Sequence, residues 1–218
     1  MVWHRDTVIS KVIVSDSREH DKNTVATFTT KVFEVLRTML PQVTAVNIWP
    51  DGPSSQFKNK FLFSFINKLQ HRFTVSVTWN FFATSHGKGP NDALGGNVKR
   101  MAHRQAMSRH LVINGADSFA EVVRMSTNVI YVSVMTQTDI DSILNDMKLE
   151  EFWFSIPQMP GIFNIHCARV IGCQVHCKYY TDSHDNIRRV HNLPTEQSAM
   201  LKKVPGRHPV KTSRYECL

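Results

Sequence analysis

The chain has 218 residues, 42% hydrophobic and 20% charged, with a net charge of +8. Such values suit one domain with an appendage or two small domains and exclude wholesale disorder, while the charge favours an anionic partner, nucleic acid being the commonest. No apolar run approaches the roughly 18 residues needed to cross a bilayer, and the N-terminus Met-Val-Trp-His-Arg has no signal core.

Four cysteines, three of them clustered at Cys167, Cys173 and Cys177, are too few and too local for a secreted disulfide framework. The expected location is nuclear or cytoplasmic, with reduced thiols.

In chain order, Ser10 to Ser15 reads as a strand through Val12 and Val14. Asp21 or Asn23 caps a helix running to about Leu40, with Val25, Phe28, Val32, Val35, Leu36 and Met39 at helical spacing and Pro41 at its end. Val43 to Trp49, apolar on both faces, predicts a central strand covered by helices on each side. From Ser54 to about Gln70 the stripe Phe57, Phe61, Phe65, Leu69 predicts an amphipathic helix, with Lys58, Lys60 and Lys68 off the stripe. Phe73, Val75, Val77, Trp79 and Phe81 alternate with Thr74, Ser76, Thr78 and Asn80, the pattern of a strand with one face buried.

Leu94, Val98, Met101 and Ala102 then mark one face of a helix reaching about His110, and Lys99, Arg100, His103 and Arg104 mark the other. A short helix over Asp117 to Arg124 follows, then a strand over Asn128 to Met135. A helix opened by a capping box at Thr138 and Asp141 ends near Met147. Phe152 to Pro160 reads as a connection, Ile165 to Tyr180 as a bent strand or hairpin broken at Gly172, and the polar tail beyond Thr181 as mostly disordered.

Two carboxylates stand out. Val43 to Trp49 stops at Asp51-Gly52-Pro53, which delivers an acid to the C-terminal tip of a strand, where α/β folds put their sites. Asp92 opens a helix behind the loop Ser85-His86-Gly87-Lys88-Gly89. Acids at element ends among lysines suit metal ions and phosphates, although a turn aspartate and a helix cap are the plainer readings. The glycine-rich loop lacks the G-x-x-x-x-G-K-[ST] spacing, which argues against a nucleoside triphosphatase. His166, Cys167, Cys173, His176 and Cys177 suggest zinc. On one continuous strand, however, Cys167, Ile171, Cys173, Val175 and Cys177 share a face and the histidines take the other, which favours cysteines as small core residues.

The strings DGPSSQFKNKF and WNFFATSHGKG..D..GG.VKR carry a resemblance. They resemble the open reading frames of eukaryotic DNA transposons whose catalytic domain is RNase H-like with an acidic triad; the similarity runs roughly from residue 2 to 170 and is dense between Asp51 and Arg100. It implies an α/β fold with an RNase H-like mixed sheet and flanking helices over residues 1–112, a small α+β extension over 113–181 and a basic tail over 182–218. It also implies Asp51 and Asp92 as catalytic ligands of Mg²⁺ or Mn²⁺. Lys58, Asn59, Lys60, His86, Lys88, Lys99 and Arg100 would then surround them as DNA contacts.

The family's first acid lies in a DFAEN-like motif that these 218 residues do not contain, on a strand that would stand between the family's second and fourth. Its place in the sheet could be filled by a partner chain or a second copy. Asp6 and Asp16 are the nearby acids that could replace the ligand. Pro50 stands where the family usually has Ser, and Ala93 where Gly is common. The resulting expectation is a transposase-derived DNA-binding protein inactive as a nuclease; an active enzyme using Asp6 or Asp16, and a protein-interaction relic, are the alternatives.

Overall fold

The computed structural model describes residues 1–50, 54–82, 89–179 and 189–194. Its elements in chain order are β1 (Val2–His4), β2 (Thr7–Val14), α1 (Lys22–Met39), β3 (Ala45–Ile48), α2 (Ser54–Phe57), α3 (Lys60–Phe73), β4 (Ser76–Asn80) and α4 (Pro90–Arg109). There follow α5 (Ala116–Ser126), β5 (Ile130–Val134), α6 (Gln137–Asp146), α7 (Leu149–Ser155), a 3-10 turn (Ile162–Asn164), β6 (Cys167–Ile171), β7 (Gln174–Lys178) and β8 (Arg189–Asn192). The fold is mixed α/β. Among the described residues no helix is long and apolar enough to cross a membrane.

The chain forms two compact units, each assembled from two stretches. The first takes Met1–His20 and Thr84–Ile143. There β1 pairs antiparallel with β2 and β2 pairs parallel with β5, so a strand from the stretch expected as an extension joins the N-terminal hairpin. Val98 and Ala102 of α4 and Val122 and Val123 of α5 pack with Ile130 of β5, and Val12 and Val132 lie against this cluster.

Asp16 closes the arrangement by accepting a hydrogen bond from the Ala116 N–H at 2.9 Å, one of the unpaired donors in the first turn of α5. Replacing Asp16 by Ala is expected to cost about 1 kcal/mol, the usual weight of such a cap, readable as a lower denaturation midpoint.

The second unit takes Asp21–Ala83 and Leu144–Leu218. Its sheet runs β3-β4-β6-β7-β8, with β3 and β4 parallel and the rest antiparallel. Asp21 caps α1 by accepting from the Thr24 N–H at 2.9 Å.

Helix α3 is the centre of this unit. Leu62, Phe63, Phe65, Ile66 and Leu69 are all fully buried. Phe63 packs on Phe81 after β4 (ring centroids 5.8 Å apart), Phe73 on Phe33 of α1 (5.3 Å), and Phe61 and Phe65 on Trp153 of α7 (5.7 and 6.2 Å). The stripe in the sequence therefore marks only one of two apolar faces. Where β4 diverges from β6, Gln70 of α3 fills the gap: its Oε1 accepts from the Val77 N–H at 2.9 Å and its Nε2 donates to the Val170 carbonyl at 3.3 Å. That satisfies backbone groups the ladder leaves unpaired.

Several expectations need correction. Val43 to Trp49 is not a central strand: β3 covers only Ala45–Ile48 and pairs with β4 alone among the described residues, because Ala45 and Asn47 face outward and only Val46 and Ile48 face the core. Helix α3 runs on to Phe73 and stops at Thr74 with φ 53°, so the strict alternation beginning at Phe73 overran the helix end. Phe152 to Ser155 is helical within α7, since Leu149 and Trp153 one turn apart are both buried.

The capping box of α6 sits two residues early. Asp139 Oδ2 accepts from the Thr136 N–H at 2.8 Å, and the Asp139 N–H donates to the Thr136 hydroxyl at 3.1 Å. Part of the expected disordered tail, Arg189–Asn192, is a strand paired with β7, followed by Leu193 and Pro194; the rest of the tail lies outside the described residues. The turn at Gly172 (φ +56°) was expected, but it reverses face parity, because antiparallel partners share a face. Cys177 joins Ala168, Val170 and Val175 on the core face, while Cys167 shares the other face with Arg169 and His176.

Candidate nucleic-acid interface

Helix α4 begins at Pro90, a residue preorganised for a first helical position, behind a Gly89 cap. Asp92 lies exposed in its first turn, where a negative charge complements the helix dipole, and its N–H donates to the Gly89 carbonyl at 3.1 Å. The helix buries Val98 and Ala102 and exposes Lys99, Arg100, His103, Arg104 and Met107. At spacings of three and four residues these exposed positions form two neighbouring ridges. None of Lys99, Arg100 and Arg104 makes an ion pair among the described residues. The result is a helix face of uncompensated positive charge, the arrangement that neutralises phosphates.

The other expected site residues are placed differently. Lys58 is 6% exposed, its ammonium donates to the Phe163 carbonyl at 3.2 Å and lies 4.9 Å from the Phe81 ring centre, and burial holds its pKa below the usual lysine range. Lys60 donates to the Ile156 carbonyl at 3.2 Å and lies over Phe61. Asn59 caps α3, accepting from the Leu62 N–H at 2.9 Å while its amide donates to the Gln56 carbonyl at 2.8 Å. Lys58, Asn59 and Lys60 therefore tie α3 down at its start. Asp51, His86 and Lys88 lie outside the described residues.

Of the substitute acids, Asp16 is engaged in capping α5 and Asp6 sits in the β1–β2 turn. Among the described residues no group of three or more His, Cys, Asp or Glu is placed to hold a metal ion. Nor does the hairpin gather the two described thiols: Cys167 and Cys177 lie on opposite faces of the sheet, and burial raises the pKa of both.

Of the two histidines whose titration matters, the sequence reading named His176 only as a possible zinc ligand and did not find His191. His176 Nδ1 and His191 Nε2 are buried without a hydrogen-bond partner, and burial first, then Arg169 and Arg189 respectively, holds both pKa values below the ordinary 6.5. The unfolded chain thus takes up protons first. Stability is complete above about pH 6.5 and is lost as pH falls through the depressed folded values. The thermal midpoint is expected to drop between about pH 6.5 and 5, and the double variant His176→Gln, His191→Gln should flatten that drop.

The fold and this helix face define an α/β protein with an exposed cationic helix. The chain belongs to the family described as "Domain of unknown function (DUF8701)", which matches residues 1–181. No curated protein and no solved structure matches it.

Proposed function

We propose that the chain is a nucleic-acid-binding protein derived from a DNA transposase with an RNase H-like core, and that it binds duplex DNA through the exposed face of α4 without cutting it. The observation that carries the reading is the set Lys99, Arg100 and Arg104 on one solvent-facing side of α4, none of them in an ion pair among the described residues. Basic helix faces of this kind take phosphates rather than base edges, so affinity is set by backbone charge and not by sequence.

Strand pairing supports the ancestry. In the RNase H-like order the first strand stands between the second and the fourth, which correspond here to β1 and β3. Each of these two strands has one unpaired side among the described residues. A partner chain or second copy supplying a strand could pair with either edge.

By the resemblance, Asp51 and Asp92 would be the residues that held divalent Mg²⁺ or Mn²⁺ in the ancestral enzyme, where the metal would supply activation of the attacking oxygen and stabilisation of the leaving one. These 218 residues lack the DFAEN-like third ligand, and Asp16, holding the start of α5, is a poor substitute.

The test is the affinity of the full chain for a short duplex across a salt series, together with incubation of supercoiled DNA with Mn²⁺. A steep fall of affinity with salt and no nicking are expected. Salt-independent or absent binding would leave the protein-interaction relic. Nicking abolished by Asp51→Ala would establish the active enzyme instead.

A further inference from the structure

The five-stranded sheet has a second side that α3 does not cover. By register, Asn47, Thr78, Arg169, His176 and Val190 form one line across all five strands, a span of roughly 19 Å at about 4.8 Å per strand. The next line towards the tips of β3 and β4 contains Asn80 and Cys167. Trp49 continues β3 level with Asn80 and Phe82 lies beyond it, their ring centroids 5.1 Å apart at a tilt of 37°.

Phe81 packs on Phe63 of α3, so its neighbour Phe82 takes the uncovered side. Both rings remain accessible, at 39% and 41% exposure. Asn47, Ser76, Arg169, Gln174 and Asn192 on this side are exposed as well. Asn80 is 2% exposed and its Oδ1 has no hydrogen-bond partner.

The five strands contain no Asp or Glu at all. Among the described residues this face has cationic and amide groups and no carboxylate, which complements an anion. Two accessible rings beside it add what phosphate binding alone does not need, π-faces on which bases stack. In a duplex the bases are already stacked on each other, so such rings serve an open strand.

We propose that this uncovered face is a platform for single-stranded nucleic acid, on which Trp49 and Phe82 stack bases and Arg169 holds phosphate. The platform lies entirely within the second unit and does not rest on the α4 reading. Asn47, exposed on this face, supplies hydrogen-bonding groups of the kind that read base edges, and the planar guanidinium of Arg169 can pair with phosphate or stack.

The experiment uses the full chain and labelled oligo(dT), oligo(U) and duplex probes of about 12 nucleotides, within the range one such platform covers. Phe82→Ala is expected to weaken single-strand binding about tenfold or more, as removal of a stacking ring does. Arg169→Gln is expected to weaken it about fivefold, the scale of one phosphate contact. Duplex affinity should stay within about twofold for both. Stronger binding of oligo(dT) or of oligo(U) identifies the natural strand, and either supports the platform.

The proposal is overturned if the chain binds duplex but neither single strand, if both variants leave single-strand affinity unchanged, or if they weaken duplex and single strand alike. Failure of the α4 reading looks different. There the duplex arm would ignore substitutions at Lys99, Arg100 and Arg104 while the single-strand arm still responded to Phe82→Ala.

Discussion

Replacing Lys99, Arg100 and Arg104 together by alanine is expected to lower duplex affinity roughly 100-fold at about 0.1 M salt and to flatten the logarithmic salt slope by about 2.7. Each neutralised phosphate contributes about 0.9 to that slope, and Lys99→Ala alone should remove about 1. The three side chains are exposed and have no ionic partner among the described residues, so their removal strands no opposite charge. Alanine also favours the helix. Folding stability should change by no more than about 0.5 kcal/mol per site. A slope unchanged in the triple variant would remove α4 as the interface, because lost phosphate contacts cannot leave counterion release intact.

Replacing Phe65 by alanine should have the largest effect on stability, about 3–5 kcal/mol in urea denaturation. The ring is fully buried and packs on Trp153 of α7, whose indole N–H in turn donates to Asn23 Oδ1 of α1 at 2.6 Å. The substitution would open a cavity where three helices meet. Against a typical total of about 5–15 kcal/mol the loss is severe. Phe154, 90% exposed on the same helix as Trp153, is the control: Phe154→Ala should change stability by less than about 0.5 kcal/mol. A cost below about 1 kcal/mol for Phe65→Ala would show that α3 is not the centre of its unit.

The parts of the fold that could be read in the sequence are those in which local pattern and tertiary role agree. The apolar spacing of α1 and its Asp21 cap, the basic outer face of α4 and the hairpin turn at Gly172 follow from residues close together in the chain. What failed depended on distant partners. Val43 to Trp49 is apolar enough for a central strand, yet nothing local reveals that only β4 pairs with it. Phe73 fits both a strand alternation and the last turn of a helix; its contact with Phe33, forty positions earlier, favours the helix.

The candidate site was legible to the same extent. Arg100 lies opposite Val98 and Ala102, and Lys99 on their flank, by helical geometry alone. The buried placement of Lys58 depends on Phe163, far along the chain, and no periodicity could have indicated it. The Trp49–Phe82 pair was likewise hidden, because it needs the parallel register of β3 and β4.

The inward lysine just before α3 also separates the amines by their access to reagents. Lys99 meets an acylating agent directly. Lys58, with its ammonium on the Phe163 carbonyl and against the Phe81 ring, becomes reachable only when the 3-10 turn lifts away. Burial, which also lowers its pKa, keeps the amine from the reagent until then. The rate at which Lys58 is acylated thus measures how often this segment opens, which makes one side chain a natural probe of local unfolding.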